Sequence, residues 1–246
     1  MNTVSDDHAN FVFSGACPIC QKSVTFSATN PWFRDFLSCS GCGSVPRERA
    51  LMLVLQRERP NWRDLAIHES SPAERAASLM LKRYCRRYVA TQFFPNVEPG
   101  SLHHGYRCEN LERSTFQDGS FDVVITQDVM EHVFDPASAY RDISRTLKPG
   151  GIYIHTVPIY KEKVNSERRA RLVGNQVEHI FPPEYHGNPI DQKGSLVTYH
   201  YGYDLHDLIA SWTPFSVEIT RFNDREHGII AEFSEVVVCR KQRRGT

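Results

Sequence analysis

The chain reads as an α/β protein: an open, mostly parallel sheet with helices on both faces, preceded by a small cysteine-held module. Three observations predict this. From residue 62 onward, strand-length apolar runs alternate with helical stretches, the rhythm of a sheet covered by helices on both sides. The run Phe121 to Thr126 is apolar almost throughout, as a doubly covered parallel strand should be. Four of the seven cysteines fall in Cys17-Pro18-Ile19-Cys20 and Cys39-Ser40-Gly41-Cys42, a C-x2-C-x18-C-x2-C spacing.

The 246 residues suit one medium domain plus a small module. We divide them into a zinc-ribbon module at 11–45, a connecting helix at 46–61 and the main domain at 62–242, with an insertion at about 160–200. Basic and acidic residues balance at 29 each, so no global basic field points to nucleic acid or an anionic membrane. No apolar run approaches the roughly 20 residues that span a bilayer. Met1 to Asn10 is polar and lacks an apolar h-region, so the expectation is a cytoplasmic protein. An odd cysteine count in such a compartment argues against a disulfide framework.

In the module, each C-x2-C knuckle can present two thiolates to one metal, and Gly41 and Gly43 permit the left-handed backbone such turns need. Four thiolates match a closed, tetrahedral, structural Zn²⁺ site held by Cys17, Cys20, Cys39 and Cys42. Ser23 to Phe26 reads as a short strand between the knuckles. A module of this size has little core, so the metal is expected to supply much of its folding free energy. Phe26 and Trp32 are expected in that small core. Cys85, Cys108 and Cys239 lack ligand spacing and read as buried thiols.

Pro46 opens the connecting helix, whose Leu51, Leu53, Val54 and Leu55 give it an apolar side to pack on the main domain. Leu65 to Glu69 is the first strand and Ser70-Ser71 its turn; Pro72 suits a helix start. That helix is expected from Ala73 to about Tyr84, buried through Ala76, Leu79 and Met80. Tyr88 to Thr91, Tyr106 to Cys108 and Phe121 to Thr126 are the next strands. Asp135-Pro136 starts a helix stopped by Pro149-Gly150-Gly151, and Ile152 to Val157 follows as a strand. Residues 160–200 break the rhythm where a substrate lid would sit. Asp204 to Ser211 is a helix, Phe215 to Phe222 and Glu232 to Cys239 an antiparallel pair, and the basic tail from Arg240 is expected to fray.

Asp118-Gly119-Ser120-Phe121-Asp122, then Asp128-Val129-Met130-Glu131-His132-Val133, then Leu147-Lys148-Pro149-Gly150-Gly151, resemble in order and spacing the second half of a class I S-adenosylmethionine (SAM)-dependent methyltransferase of the type 11-like kind. The resemblance is close from Asn110 to Pro158, and the strand order fits over 62–240. It implies a Rossmann-like class I methyltransferase sheet, SAM as cofactor, and a cofactor site just after the first four strands. Carried residue by residue, it assigns SAM to Glu69, Ser70, Ser71, Gln92, Asn110, Leu111 and Gln127. The first half departs from the family: its usual acid-x-Gly-x-Gly-x-Gly loop is here His68-Glu69-Ser70-Ser71-Pro72-Ala73, with no glycine. Gln92 stands where the family has an acid for the ribose hydroxyls, and Asn110 where an Asp often meets the adenine. Both changes keep hydrogen-bonding shape and remove charge.

Methyl transfer needs alignment of nucleophile and methyl, exclusion of water and, for a high-pKa nucleophile, a base. The catalytic candidates are His132, Asp128 and His186. Asp128 either faces cofactor or substrate or caps the next helix; His132 either packs at the start of that helix or serves as the base. His179, His186 and His200 with Glu178, Glu184 and Asp191 form a candidate second metal set, Tyr185, Tyr199, Tyr201 and Tyr203 a candidate aromatic wall or lid core. Arg168, Arg169 and Arg171 are a solvated helix face or a grip for an anionic substrate. The expected function is methylation of a small-molecule or glycan acceptor at O or N. The alternatives are an RNA or protein methyltransferase recognising its target through the ribbon, and a non-catalytic binding protein on the same fold. Lys22 and Arg34 are the only basic residues between Cys20 and Cys39, poor provision for phosphate.

Overall fold

The structure, a computed structural model, describes residues 11–188 and 192–243. Met1 to Asn10, Asp191 and the last three residues of the tail, on which some of the expectations above fall, lie outside the described residues.

The N-terminal segment forms three antiparallel strands, β1 (Phe11–Cys17), β2 (Lys22–Ala28) and β3 (Ser38–Cys39), with a single helical turn, α1 (Phe33–Phe36), between the last two. Helix α2 (Pro46–Glu58) follows, with Pro46 at its first turn and the Glu48 carboxylate accepting from the Val45 N–H. The main sheet then alternates with helices: β4 (Ala66–Ser70), α3 (Ala76–Tyr84), β5 (Arg87–Gln92), β6 (Leu102–His103), β7 (Tyr106–Cys108), β8 (Phe121–Gln127), α4 (Pro136–Thr146) and β9 (Leu147–Thr156). The insertion is a set of short strands: β10 (Glu167–Arg168), β11 (Ala170–Val173), β12 (Gln176–His179), β13 (Tyr185–His186), β14 (Ser195–Leu196) and β15 (Tyr199–His200). Helix α5 (Leu205–Trp212) and strands β16 (Ser216–Thr220) and β17 (Val236–Arg240) close the chain. Arg240, expected to fray, ends β17 and pairs with Glu58 and Glu218.

The sheet order is β16-β17-β9-β8-β4-β5-β7-β6. Strands β7, β5, β4, β8 and β9 run parallel, β17 is antiparallel to β9, and β6 is an edge hairpin with β7 that the sequence did not suggest. From β4 the chain winds outward through β5 and β7, then returns to β8 on the other side. The switch point thus lies at the carboxyl ends of β4 and β8, where open α/β sheets bind ligands.

Strand alternation sorts the side chains. Val123, Ile125, Ile152, Ile154, Val236 and Val238 share one core with α2 and α3, while Val124, Tyr153, Val237 and Cys239 share the other with α4 and α5. The first core does not stop at the main domain. Phe13, Ile19, Phe26 and Leu37 of the N-terminal segment belong to the same cluster as Ile67 and Val123. Arg49 of α2 is fully buried where the parts meet. It donates to the Leu37 and Ser44 carbonyls and to the Gly228 carbonyl (2.7 Å), and lies over the Phe26 ring. Gly228, with φ of +68°, lets the 224–229 turn press on Phe26: a Cβ there would meet the ring at 2.9 Å.

Local expectations differ from the structure in three places. Helix α3 starts at Ala76, because the chain from Ser71 to Ala76 is spent on a turn with left-handed backbone. Leu79 of α3 is 49% exposed, and the helix buries Ala77, Ser78 and Leu81 instead. Strand β9 begins at Leu147, so Pro149-Gly150-Gly151 sits inside a bulged strand rather than after a helix.

Candidate active site

A cleft of about 990 Å³ opens at the switch point. One side is made by the strand ends: Ser70 and Ser71 at the end of β4, Gln92 and Phe93 at the end of β5, Glu109, Asn110 and Leu111 after β7, and Gln127 and Asp128 at the end of β8. Its volume lies at the upper end of the range of small-molecule sites, enough for a cofactor beside a second small ligand.

On that side the glycine-free loop keeps the backbone shape glycines would give. Ser71 (φ 57°), Glu74 (φ 50°) and Ala76 (φ 32°) are all left-handed without being glycine, a strained arrangement held by its surroundings. The Ser71 N–H donates to the Thr91 carbonyl at 2.8 Å, and the Arg75 guanidinium pairs with Glu48 at 2.9 Å. Glu69 lies under the cleft floor. Its carboxylate accepts from Ser78 Oγ (2.7 Å), Gln127 Nε2 (2.9 Å) and Tyr88 OH (2.6 Å), so it braces the loop from beneath and does not line the cleft. Ser70, Ser71, Gln92, Asn110, Leu111 and Gln127 do line it. Asn110 Oδ1 accepts from the Glu112 N–H, and the Glu112 carboxylate accepts from the N–H groups of Phe134 and Asp135, which fixes the rim. Glu109 also faces the cleft, held by Arg107 and Thr115; sequence reading passed over it in favour of Asn110.

The other side of the cleft comes from distant segments: Trp32, Arg34 and Asp35 of the cysteine module, Arg47 of α2, Glu131 and His132 after β8, Tyr160, His186 of β13 and Phe233. Trp32, expected in the ribbon core, instead turns to the cleft and meets Phe233 edge-on, and Phe233 packs on Tyr160. These three are the aromatic wall. Of the tyrosines expected there, Tyr199 and Tyr201 are buried in the core and Tyr185 and Tyr203 are exposed.

Asp128 is not the helix cap; Asp135 is, accepting from the Ser138 N–H at 3.0 Å. Asp128 instead bridges Arg34 (2.7 Å), Arg47 Nε (2.9 Å) and Thr156 Oγ1 (3.0 Å). Burial opposes its charge, but the two guanidiniums outweigh it and hold its pKa below the ordinary carboxylate range. Glu131, three residues on, is the converse. It is 2% exposed, both carboxylate oxygens lack a hydrogen-bond partner among the described residues, and burial, reinforced by the Asp128 charge, pushes its pKa well up.

His132 sits in a single 3-10 turn (Met130–His132), not at the start of a helix. Its Nδ1 lies 2.9 Å from the Leu196 carbonyl and therefore carries the proton, leaving Nε2 a lone pair that points toward Glu131 at 3.9 Å. Burial lowers its pKa to about 4. The His186 ring stands 5.4 Å from it, nearly perpendicular, with Nε2 3.2 Å from Glu184. His200 also contacts Glu184, at 2.8 Å, whereas His179 lies in the exposed strand β12, so the candidate set of three histidines with Glu178 and Glu184 is not assembled among the described residues. Arg168 and Arg171 are on strands, Arg169 is between them, and all three are engaged: Arg168 stacks on Tyr199, Arg169 pairs with Glu167 and Glu184, and Arg171 with Glu178. They offer no anion grip.

The four module cysteines converge. Their sulfurs all lie within 4.8 Å of one another, with Cys17 to Cys42 at 3.7 Å and Cys20 to Cys39 at 3.9 Å. A tetrahedral Zn²⁺ with bonds of about 2.3 Å sets its sulfurs about 3.8 Å apart, so the donor set fits that ion. Cys85, Cys108 and Cys239 are buried and apart from it.

Sheet order and switch-point cleft together are those of the class I SAM-dependent methyltransferase fold, a Rossmann-like sheet. Comparison with known proteins agrees. A methyltransferase domain model of the type 11 family matches residues 74–155. The ubiquinone biosynthesis O-methyltransferase of Caulobacter sp. is 34% identical over 129 residues, 46% of this chain and 48% of that protein, so the chain spans about half the length of this relative. Among solved structures, a SAM-dependent methyltransferase from Mesorhizobium loti superposes with a TM-score of 0.50 at 13% identity, over 78% of this chain and 98% of that one. The 1,6-didemethyltoxoflavin-N1-methyltransferase of Burkholderia thailandensis, solved with bound 1,6-didemethyltoxoflavin and S-adenosylhomocysteine, gives a TM-score of 0.50 at 12% identity, over 80% of this chain and 78% of that one. Among the described residues no helix is long and apolar enough to cross a membrane.

Proposed function

We propose that the chain is a SAM-dependent methyltransferase acting on a small-molecule acceptor, at oxygen, with a structural Zn²⁺ held by Cys17, Cys20, Cys39 and Cys42. The observation that carries this is the two-sided cleft. Its strand-end side keeps the left-handed Ser71 turn and the polar side chains Gln92 and Asn110, and its other side is a separate, enclosed wall with titratable groups. SAM, when bound, supplies an electrophilic methyl group on a sulfonium. Ser70, Ser71 and Gln127 would hold its methionine part, Gln92 the ribose hydroxyls, and Asn110 and Leu111 the adenine.

The acceptor would lie against Trp32, Tyr160 and Phe233, with its nucleophile toward Glu131, His132 and His186. Asp128 would not act as base, because its charge is committed to Arg34 and Arg47; it would position them. His132 is neutral near pH 7 and presents its Nε2 toward the acceptor. The module supports a small acceptor rather than RNA or a glycan polymer. Its Trp32 and Arg34 close the cleft instead of presenting a basic outer face. The O-methyltransferase relative favours oxygen over nitrogen.

Calorimetric titration of the zinc-loaded chain with SAM and S-adenosylhomocysteine tests the reading. One equivalent of either bound at micromolar concentration, weakened by Gln92→Ala, is expected. No binding at millimolar concentration would reduce the chain to a reused fold.

A further inference from the structure

The oxygens of Glu131, a residue that lines the cleft, are buried and have no hydrogen-bond partner among the described residues, an arrangement that costs free energy unless something completes it. Two imidazoles stand beside them. The donor atoms of Glu131, His132 and His186 all lie within 4.8 Å of one another. Each imidazole is oriented from behind. His132 gives its Nδ1 proton to the Leu196 carbonyl and turns Nε2 inward, and His186 Nε2 faces the Glu184 carboxylate, which leaves Nδ1 its lone pair. A carbonyl or carboxylate behind a histidine is how proteins fix the tautomer of a metal ligand.

We propose that Glu131, His132 and His186 form a second metal site, for one first-row divalent cation, inside the cleft and separate from the four-cysteine site. Donor atoms about 2.1 Å from one cation stand about 3–4 Å apart, so the three groups need to close by only about an ångström. Two imidazoles and one carboxylate suit Mn²⁺, Fe²⁺, Co²⁺ or Zn²⁺ and leave coordination positions open on the cleft side. Asp128 is not a ligand, since Arg34 and Arg47 hold it.

Resting on the methyltransferase reading, the open positions would take an acceptor hydroxyl. The cation would lower the hydroxyl pKa, and the proton would leave to water through the cleft mouth. The resulting oxyanion would form a C–O bond to the methyl carbon as the C–S bond breaks, its electron pair passing to sulfur to give neutral S-adenosylhomocysteine.

The test uses full-length protein whose cysteine site is filled with Zn²⁺, titrated with Mn²⁺ and followed by loss of the free-ion electron paramagnetic resonance signal. One further equivalent is expected, with affinity lowered about tenfold or more by Glu131→Gln and by His186→Ala, and about tenfold by Glu184→Gln behind His186. Enhanced water-proton relaxation by the bound Mn²⁺ is expected, because open positions keep exchangeable water. Retained Zn²⁺ and an unchanged thermal midpoint report that each variant is folded. No Mn²⁺ bound at millimolar concentration, or an equivalent that survives in the Glu131→Gln/His186→Ala double variant, overturns the site. Bound Mn²⁺ without relaxation enhancement overturns its catalytic use. Since the titration contains no SAM, a metal that binds while SAM does not would refute the methyltransferase reading and leave the metal site standing.

Discussion

Asp128 and Glu131 show how two carboxylates three residues apart take opposite states. Asp128 stands between two guanidiniums and stays charged; Glu131 lines the cleft with no guanidinium or ammonium paired to it among the described residues, and burial drives it toward its neutral form. Removing the Asp128 charge leaves Arg34, 11% exposed at its side chain, without its partner. Asp128→Ala is therefore expected to lower the unfolding free energy by about 3 kcal/mol in urea melts, whereas Arg34→Met with Asp128→Asn should recover most of it. The same reasoning applies to Gln92, which lines the cleft uncharged. A carboxylate there would add a charge-assisted bond to a ribose diol and attraction to a sulfonium. On the proposed function, Gln92→Glu should tighten SAM by about tenfold at low salt, with a smaller gain for the neutral S-adenosylhomocysteine. Equal changes for both ligands would place the sulfonium elsewhere.

The elements that matter are those the strands and helices hold in place. The turn from Ser71 to Ala76 carries three left-handed non-glycine residues between β4 and α3. Its shape is sustained by Glu69 and Ser78 beneath and by the Glu48–Arg75 pair above. Ser71→Gly should relieve about 1 kcal/mol of strain, part of which is offset by the greater freedom of the unfolded chain; a stability gain in denaturant melts is the expected sign. Helix α4 is capped by Asp135 and opened by Pro136, so Asp135→Ala should cost about 1 kcal/mol. The insertion acts on the cleft by clamping the turn at 130–132. The Thr198 N–H donates to the Glu131 carbonyl (2.7 Å), Thr198 Oγ1 to the Val133 carbonyl (2.6 Å) and Tyr201 OH to the Met130 carbonyl (3.1 Å). That clamp, together with the Leu196 carbonyl on His132, sets which way the Glu131 and His132 side chains face.

At the scale of the whole molecule, the cysteine module and the main sheet share one core, joined through Arg49, Phe26 and the 224–229 turn. Stripping a metal from the four cysteines should consequently do more than loosen a peripheral knob. Chelation is expected to lower the thermal midpoint of the entire chain and to weaken ligand binding in the cleft, because Trp32 and Arg34 hang from the same module. Acid should act globally too. His68 and His155 are held at about 3 and His132 at about 4, in each case first by burial, against 6.5 in the unfolded chain. Between pH about 6.5 and about 4 the unfolded state therefore binds up to three protons more than the folded one, and stability falls as pH falls through that window. Urea midpoints at pH about 7.5 and about 5 should show the loss. His155→Phe, in a site walled by Tyr140 and Tyr153, should reduce it by about a third.

What the sequence determined by itself is local in origin. The four-cysteine spacing marked the sulfurs that converge, and the strand-and-helix rhythm with its Asp118–Asp122 and Leu147–Gly151 signatures marked the sheet and its switch point. Periodicity and knuckle spacing are short-range properties, written within ten or twenty residues. Tertiary structure alone decided the far wall of the cleft. Trp32, Arg34, Arg47, Glu131, His186 and Phe233 come from segments up to two hundred residues apart, and nothing in their local pattern says which will meet. It also decided which carboxylate is charged and which is left unpartnered, since that depends on burial and on cations brought in from other parts of the chain. Glu131-His132 stood in plain view beside Asp128, but only the fold, by paying Asp128 with two arginines and giving Glu131 none, separated their roles.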